Sequence, residues 1–161
     1  MRIEPLPITH PDAARLVEEV QEEYVVRYGS RDATPLDDEE FTPGRGRFLV
    51  GYLDLEPVSI GGWRWHADVD GAGPGPTAEI KRMYVAAGHR GAGHARRMLR
   101  HLELSAAADG ARVLILETGI RQPEAIALYE SSGYRPVPGF GHYRNDGLSR
   151  CYAKVLGSSS D

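Results

Sequence analysis

Cysteine is almost missing from this 161-residue chain. The single Cys151 excludes an intrachain disulfide and any multi-cysteine zinc or iron–sulfur centre. Placed in a terminal strand pattern, it reads as a buried, inert thiol. Lysine is nearly as scarce: of the 19 basic residues only Lys81 and Lys154 are lysine, and the arginine bias carries no mechanistic weight by itself. No apolar run approaches the roughly 18 residues of a membrane span, so no membrane association is expected. The opening MRIEPLPITH lacks the apolar stretch of a secretory signal, which makes the cytoplasm the expected location. There is no internal repeat and no low-complexity tract. The remaining composition is that of an ordinary globular domain, 41% hydrophobic and 26% charged, with a net charge of −4 and 19 glycines.

One further absence is local. From residue 80 to residue 102 there is no acid, while Lys81, Arg82, Arg90, Arg96, Arg97 and Arg100 supply positive charge. Residues 12 to 40 show the reverse, with ten acids against three arginines. Such a basic run is either a solvated helix face or a local anion site within an acidic protein.

Hydrophobic spacing supplies the elements. Ala13, Leu16, Val17, Val20 and Tyr24 recur at helical intervals, predicting a helix from 11 to about 28 that stops at Gly29. A long turn-rich connection follows, with a short helix near Leu36–Phe41; connections of this length are uncommon unless they serve a site. Residues 47–55 and 56–66 read as two strands around a turn, and 78–85 as a third. Residues 92–109 form a helix, 112–118 a strand covered on both faces, and 123–133 a short helix between Pro123 and Gly133. YRPV and 148–156 give two last strands. The order predicts a single α/β (α+β) domain over 1–156, with helices on both faces of one mixed, mostly antiparallel sheet, and a disordered tail at 157–161.

Between the third strand and the next helix lies AAGHRGAGHARR. A glycine-rich turn opening into a helix presents unpaired N–H groups and the positive end of the helix dipole, which suits phosphate. The loop has neither the Gly-Lys-Ser/Thr of a P-loop nor the third glycine of a Rossmann turn. A plain strand–helix connection is the competing reading.

The string Arg90-Gly91-Ala92-Gly93-His94-Ala95 resembles Arg/Gln-x-x-Gly-x-Gly/Ala, the acetyl-CoA pyrophosphate loop of the GCN5-related N-acetyltransferases. The strand AEIKRMYV before it is similar to that family's strand. Residues 122–134, Gln-Pro-Glu-Ala-Ile-Ala-Leu-Tyr-Glu-Ser-Ser-Gly-Tyr, resemble its later Asn-x-x-Ala-x-x-Leu-Tyr-x-x-x-Gly-Phe helix, with Gln122 in place of Asn and Tyr134 in place of Phe. The resemblance spans residues 47–156 well and the first 45 loosely, and is to a bacterial branch with mostly unassigned acceptors.

What the resemblance implies is an acetyl transfer from acetyl-CoA to a primary amine by direct attack, without a metal. Met83, Tyr84, Val85, Arg90, Gly91, Ala92, Gly93, His94, Ala95, Arg96, Gln122 and Tyr129 would hold the co-substrate. Tyr129 would be the general acid toward the departing thiolate, and Glu79 the general base. Strict alternation would place Glu79, Lys81 and Met83 on one side of their strand and Ile80, Arg82 and Tyr84 on the other, unless a bulge alters the phase. A backbone N–H near Met83–Val85 would serve the oxyanion. The acceptor site would be shaped by Tyr24, Arg27, Tyr28, Arg31 and Asp32, with Trp63 and Trp65 as walls and His142 and Tyr143 at the mouth. Arg27 and Arg31 would suit an acceptor with a carboxylate, such as an amino acid.

His66, Asp68 and Asp70 read as a polar hairpin end rather than metal ligands. Two other functions stay open on these residues: a non-catalytic acyl-CoA sensor, and an acetyltransferase acting on protein amines. Nucleic acid is not an expected partner, since the basic window is short. A homodimer is left open.

Overall fold

A computed structural model describes residues 1–34 and 36–157; residues 158–161 of the expected tail lie outside the described residues. The chain begins not with the expected helix but with an edge strand, β1 (Arg2–Pro5), which pairs antiparallel with Leu49–Tyr52. Four residues ending in proline give too short a pattern to read as a strand; pairing with a longer neighbour supplies what propensity does not.

Helix α1 (Pro11–Tyr28) follows, with Pro11 in its first turn and Gly29 closing it in the left-handed region at φ +82°. A 3-10 turn spans Asp38–Phe41 and is closed by a capping box between Asp37 and Glu40. Strands β2 (Gly46–Leu53), β3 (Glu56–His66) and β4 (Thr77–Val85) form an antiparallel meander. Helix α2 (His94–Ala108), strand β5 (Val113–Gly119), helix α3 (Pro123–Ser131) and strands β6 (Arg135–Val137) and β7 (Ser149–Val155) complete the chain. The seven strands lie in the order β1-β2-β3-β4-β5-β7-β6, and only the β4–β5 pair is parallel.

The helices divide between the two faces. Ala13 and Leu16 of α1 pack with Phe41, Phe48, Val50 and Ile60 on one side. Met98, Leu99, Leu102 and Ala106 of α2 pack with Trp63, Ile80, Leu114 and Leu116 on the other, and Tyr129 of α3 joins them. Gly61 lets α2 settle closely on β3, because a Cβ there would meet Leu102 Cδ1 at 2.8 Å. Each fully buried aliphatic side chain of this core stabilises the fold by about 1.5–3 kcal/mol. A third cluster, with Val113, Ile115, Cys151 and Ala153, closes the far half of the sheet beneath Ala72 and Phe140.

Candidate active site

The parallel pair is short. Strands β4 and β5 are in register only from Thr77 to Glu79 against Val113 to Ile115, and beyond that point they part. Ligands in open α/β sheets bind at the carboxyl ends of strands, where neighbouring connections run apart. Here the parting opens a cleft of about 500 Å³ between β4, β5, α1, α2 and α3.

A bulge shapes one wall of this cleft. Ile60 pairs with Tyr84 and Gly62 with Lys81, so β4 carries one residue more than β3 over the same stretch. Arg82 absorbs the extra residue at φ +57°, which costs a non-glycine residue about 1–2 kcal/mol. Strict alternation therefore fails at this point. Met83 packs on the same side as Ile80, toward α2, while Tyr84 packs toward α1. Lys81 and Arg82 both face the acidic residue Asp32, and an Arg82 Nη1–Asp32 Oδ2 ion pair secures the strained position from the loop after α1.

At the opposite end of the cleft is the glycine loop. Gly91 and Gly93 sit at φ +84° and +83°, and an added Cβ at either would meet nothing within 4 Å. Backbone conformation, not space, selects glycine at both positions. No backbone carbonyl among the described residues accepts from the N–H groups of residues 91–96. Those donors converge at the positive end of α2, where a pyrophosphate would satisfy them. The Nδ1 of His94, the first residue of α2, is buried there without a hydrogen-bond partner. Gly93→Ala is expected to weaken acetyl-CoA binding about 5- to 30-fold, since the loop must bear about 1–2 kcal/mol of strain or relax and turn its donors away. Isothermal titration of acetyl-CoA into both proteins measures this.

Midway along the cleft, Tyr129 comes in from α3. Pro123 starts that helix and Gly133, at φ +91°, ends it, with the Tyr134 N–H donating to the Tyr129 carbonyl at 3.0 Å. The Tyr129 ring is buried against Tyr134 and Tyr152, and its hydroxyl makes no hydrogen bond among the described residues. Burial, with a smaller push from Tyr24, raises this phenol well above the ordinary range, so it stays protonated. Tyr24 is likewise pushed up to about 12, by burial and by Asp32.

Across from Tyr129, on the α1 side, stand Lys81 and Glu117. Burial raises the Glu117 carboxyl above its usual value, partly offset by Ser149 and the Lys81 charge. Burial also pushes Asp32 up, but Arg82 and Lys81 outweigh it and hold that carboxyl below the ordinary range. The two acids thus shift in opposite directions: Arg82 and Lys81 favour the charged form of Asp32, and burial disfavours that of Glu117. Cys151 lies behind Glu117 with its thiol pushed up to about 11 by burial, as an inert thiol should be.

A sequence model of the acetyltransferase (GNAT) family matches residues 13–134 of the chain. The chain belongs to that family. Among individual proteins, it is 42% identical over 82 residues to an IAA acetyltransferase from Azospirillum brasilense, a match covering 51% of this chain and 54% of that protein. The chain thus spans about half the length of this curated relative. A candidate acyl-CoA N-acyltransferase from Klebsiella pneumoniae superposes with a TM-score of 0.78 at 27% identity, over 97% of both chains. A ribosomal-protein-alanine N-acetyltransferase from Brucella melitensis shares the fold, with a TM-score of 0.71 at 20% identity over 97% of this chain and all of that one.

Within this acetyltransferase frame the residues singled out in the sequence separate into two groups. The cleft is lined by Met83, Tyr84, Val85, Arg90, Gly91, Gly93, His94, Ala95, Arg96, Gln122 and Tyr129, and by Tyr24, Tyr28, Arg31 and Tyr143. Ala92 lies outside the lining. Several of these side chains are engaged by neighbours. Arg90 donates to the Val85 carbonyl at 2.9 Å and pairs with Glu23 at 2.9 Å, so it braces the loop against α1. Arg96 donates to Ser131 and Ser132, at 2.9 and 3.1 Å. The Tyr28 hydroxyl donates to Gln122 Oε1 at 3.3 Å, over Gly119, which has no side chain to obstruct it. Tyr143 accepts from the Ala33 N–H at 2.7 Å and ties the last long loop across the mouth.

Three expected roles meet a different structure. Glu79 is buried outside the cleft lining, its Oε1 accepting from Arg64 Nε at 3.1 Å and Nη2 at 3.0 Å, with Glu40 on the same guanidinium. That ion pair takes the carboxylate away from an incoming amine. Trp63 is fully buried under α2 and donates from Nε1 to Ser105 Oγ at 2.9 Å; together with Trp65 it packs on the α2 face of the sheet, outside the cleft lining. Arg27 lies outside the lining, bound to Glu124 at 2.8 Å and to the Arg121 carbonyl at 2.7 Å, while Arg31 forks onto Glu18 at 2.7 and 2.9 Å. Both guanidiniums are thus paired with acids in this structure. Glu117 and Lys81, which the sequence pattern did not single out, line the cleft as well, and one of them carries a legible sign. Glu117 is the first charged residue after the apolar run 113–116, at the carboxyl end of a parallel strand.

Proposed function

We propose that this chain is an acetyl-CoA-dependent N-acetyltransferase acting on the primary amine of a small molecule by direct attack. The observation that carries this reading is one cleft whose lining brings together the unbonded Tyr129 hydroxyl, the open N–H donors of the glycine loop and the Glu117 carboxylate. The N–H groups of residues 91–96 suit the pyrophosphate of the donor. A thioester lying between the parted strands would then reach Tyr129.

The amine nitrogen attacks the thioester carbonyl carbon, forming the C–N bond, and Glu117 takes the proton the nitrogen loses. Backbone N–H groups that follow the bulge on β4 are the donors for the oxygen as charge develops on it. The C–S bond breaks as the carbonyl re-forms, and Tyr129 gives its proton to the departing thiolate. Glu117 replaces Glu79 in this scheme because Glu79 is bound to Arg64 and lies outside the cleft lining, whereas Glu117 lines the cleft beside Ser149 and the Cys151 thiol.

The test is thiol release from acetyl-CoA with a panel of primary amines. Release that depends on one or more of them, with the acetylated amine found by mass spectrometry, supports the reading. Calorimetric binding of acetyl-CoA with no release from any amine overturns it in favour of a sensor.

A further inference from the structure

Lys81 is one of only two lysines in the chain, and it is 8% exposed. Its ammonium lines the cleft and makes no hydrogen bond among the described residues. A buried charge without a hydrogen-bonding partner is costly, and evolution of a structural core seldom leaves one. Beside it, Arg82 is 7% exposed, and its Nε is buried with no hydrogen-bond partner, while its Nη1 is spent on Asp32. Lys81 thus presents unfilled donors to the cavity, whereas the Arg82 Nε is sealed off from it and the Arg82 charge is matched by Asp32.

The acids around them are unequally free. Asp32 accepts from Arg82 and from the Thr34 N–H at 2.9 Å. Glu117 faces the same space and makes no ion pair at contact distance among the described residues, its neighbours being Ser149 and the Cys151 thiol. Tyr24 and Tyr143 close the volume with uncharged hydroxyls. The cleft therefore offers one anion-binding pole at Lys81 and one cation-binding pole at Glu117.

Resting on the N-acetyltransferase reading above, we infer that the acceptor is zwitterionic: a small α-amino-acid-like amine whose carboxylate is held by Lys81 while its ammonium meets Glu117. The charge count favours a carboxylate over a phosphate. Arg82 is matched by its ion pair with Asp32, which leaves Lys81 and Glu117 as one charge of each sign, and a zwitterion matches both where a dianionic acceptor would not. Lys81 is thus a specificity-determining residue, and it supplants Arg27 and Arg31, both bound to acids elsewhere.

The experiment measures thiol release from acetyl-CoA with the standard α-amino acids, their methyl esters and their decarboxylated amines. The wild-type protein is expected to prefer at least one amino acid over its ester and amine by about 10- to 100-fold in kcat/KM, the range of a charge-assisted hydrogen bond. Lys81→Met is expected to lose that preference through a higher KM for the amino acid, with acetyl-CoA affinity unchanged by calorimetry. Lys81→Arg is expected to keep most of it. Equal use of amino acids, esters and amines by the wild type overturns the inference while leaving the enzyme reading intact. A preference that survives in Lys81→Met also overturns it. Release from no amine at all overturns the reading beneath it. The wild-type comparison stands even where a variant folds poorly.

Discussion

Tyr129→Phe is expected to lower kcat by about 100- to 1,000-fold, with the KM for acetyl-CoA and the thermal midpoint unchanged. The two halves of this expectation have separate causes. The hydroxyl makes no hydrogen bond among the described residues, so removing it breaks nothing in the resting fold. The ring keeps its contacts with Tyr134 and Tyr152, and phenylalanine fills nearly the same space. The loss falls only where a proton must reach the departing thiolate. Because burial raises the phenol far above the ordinary range, Tyr129 is fully protonated at neutral pH and has a proton to give. A fall in kcat with KM unchanged is the mark of an interaction made in the transition state alone. Full activity in this variant would remove Tyr129 as the acid, and an equal loss of stability would make it a packing residue.

The two ends of the site were unequally legible in the sequence. The phosphate end is local: Gly91 and Gly93 need a positive φ, the helix begins at the next residue, and one short string carries both facts. The helix that carries Tyr129 was legible too, since Pro123 and Gly133 bracket it, while the role of Tyr129 itself is implied only by the resemblance of Leu128-Tyr129 to the family's helix. The acceptor end depends on register. Glu79 and Glu117 both sit on strands, and nothing in either string says which one faces a guanidinium. That is decided by Arg64, which pairs with Glu79 across β3 and β4. The bulge at Arg82 was equally silent. An extra residue in a strand that is buried along most of its length leaves no break in an apolar–polar alternation, and an arginine is an unusual occupant of a left-handed position. Trp63 and Trp65 do share one face, as alternation requires, but which face meets the acceptor follows from where α1 and α2 dock. β1 escaped notice because four residues have no pattern to read.

Glu117→Gln separates the base from its surroundings through pH. A free alkylammonium has a pKa near 10, so at neutral pH only about a thousandth of it is the reactive amine. If Glu117 takes the proton, the wild-type kcat/KM rises as Glu117 ionises and then levels off, with an inflection above its ordinary 4.5 because burial raises this carboxyl. In Glu117→Gln the plateau vanishes, and the rate climbs tenfold per pH unit up to the pKa of the amine itself. The deficit is therefore about 100-fold at pH 7 and shrinks toward pH 9–10. Stability moves the other way. A carboxyl whose pKa is raised on folding favours the folded state while protonated, and that contribution is lost as pH rises from the unfolded value through the folded one. Glutamine avoids this loss. The variant is expected to melt higher than wild type at pH 7, with the gap closing as pH falls toward 4.5. A rate profile that keeps its plateau in Glu117→Gln would assign the proton transfer elsewhere. A variant less stable at pH 7 would show that the carboxylate holds the cleft together.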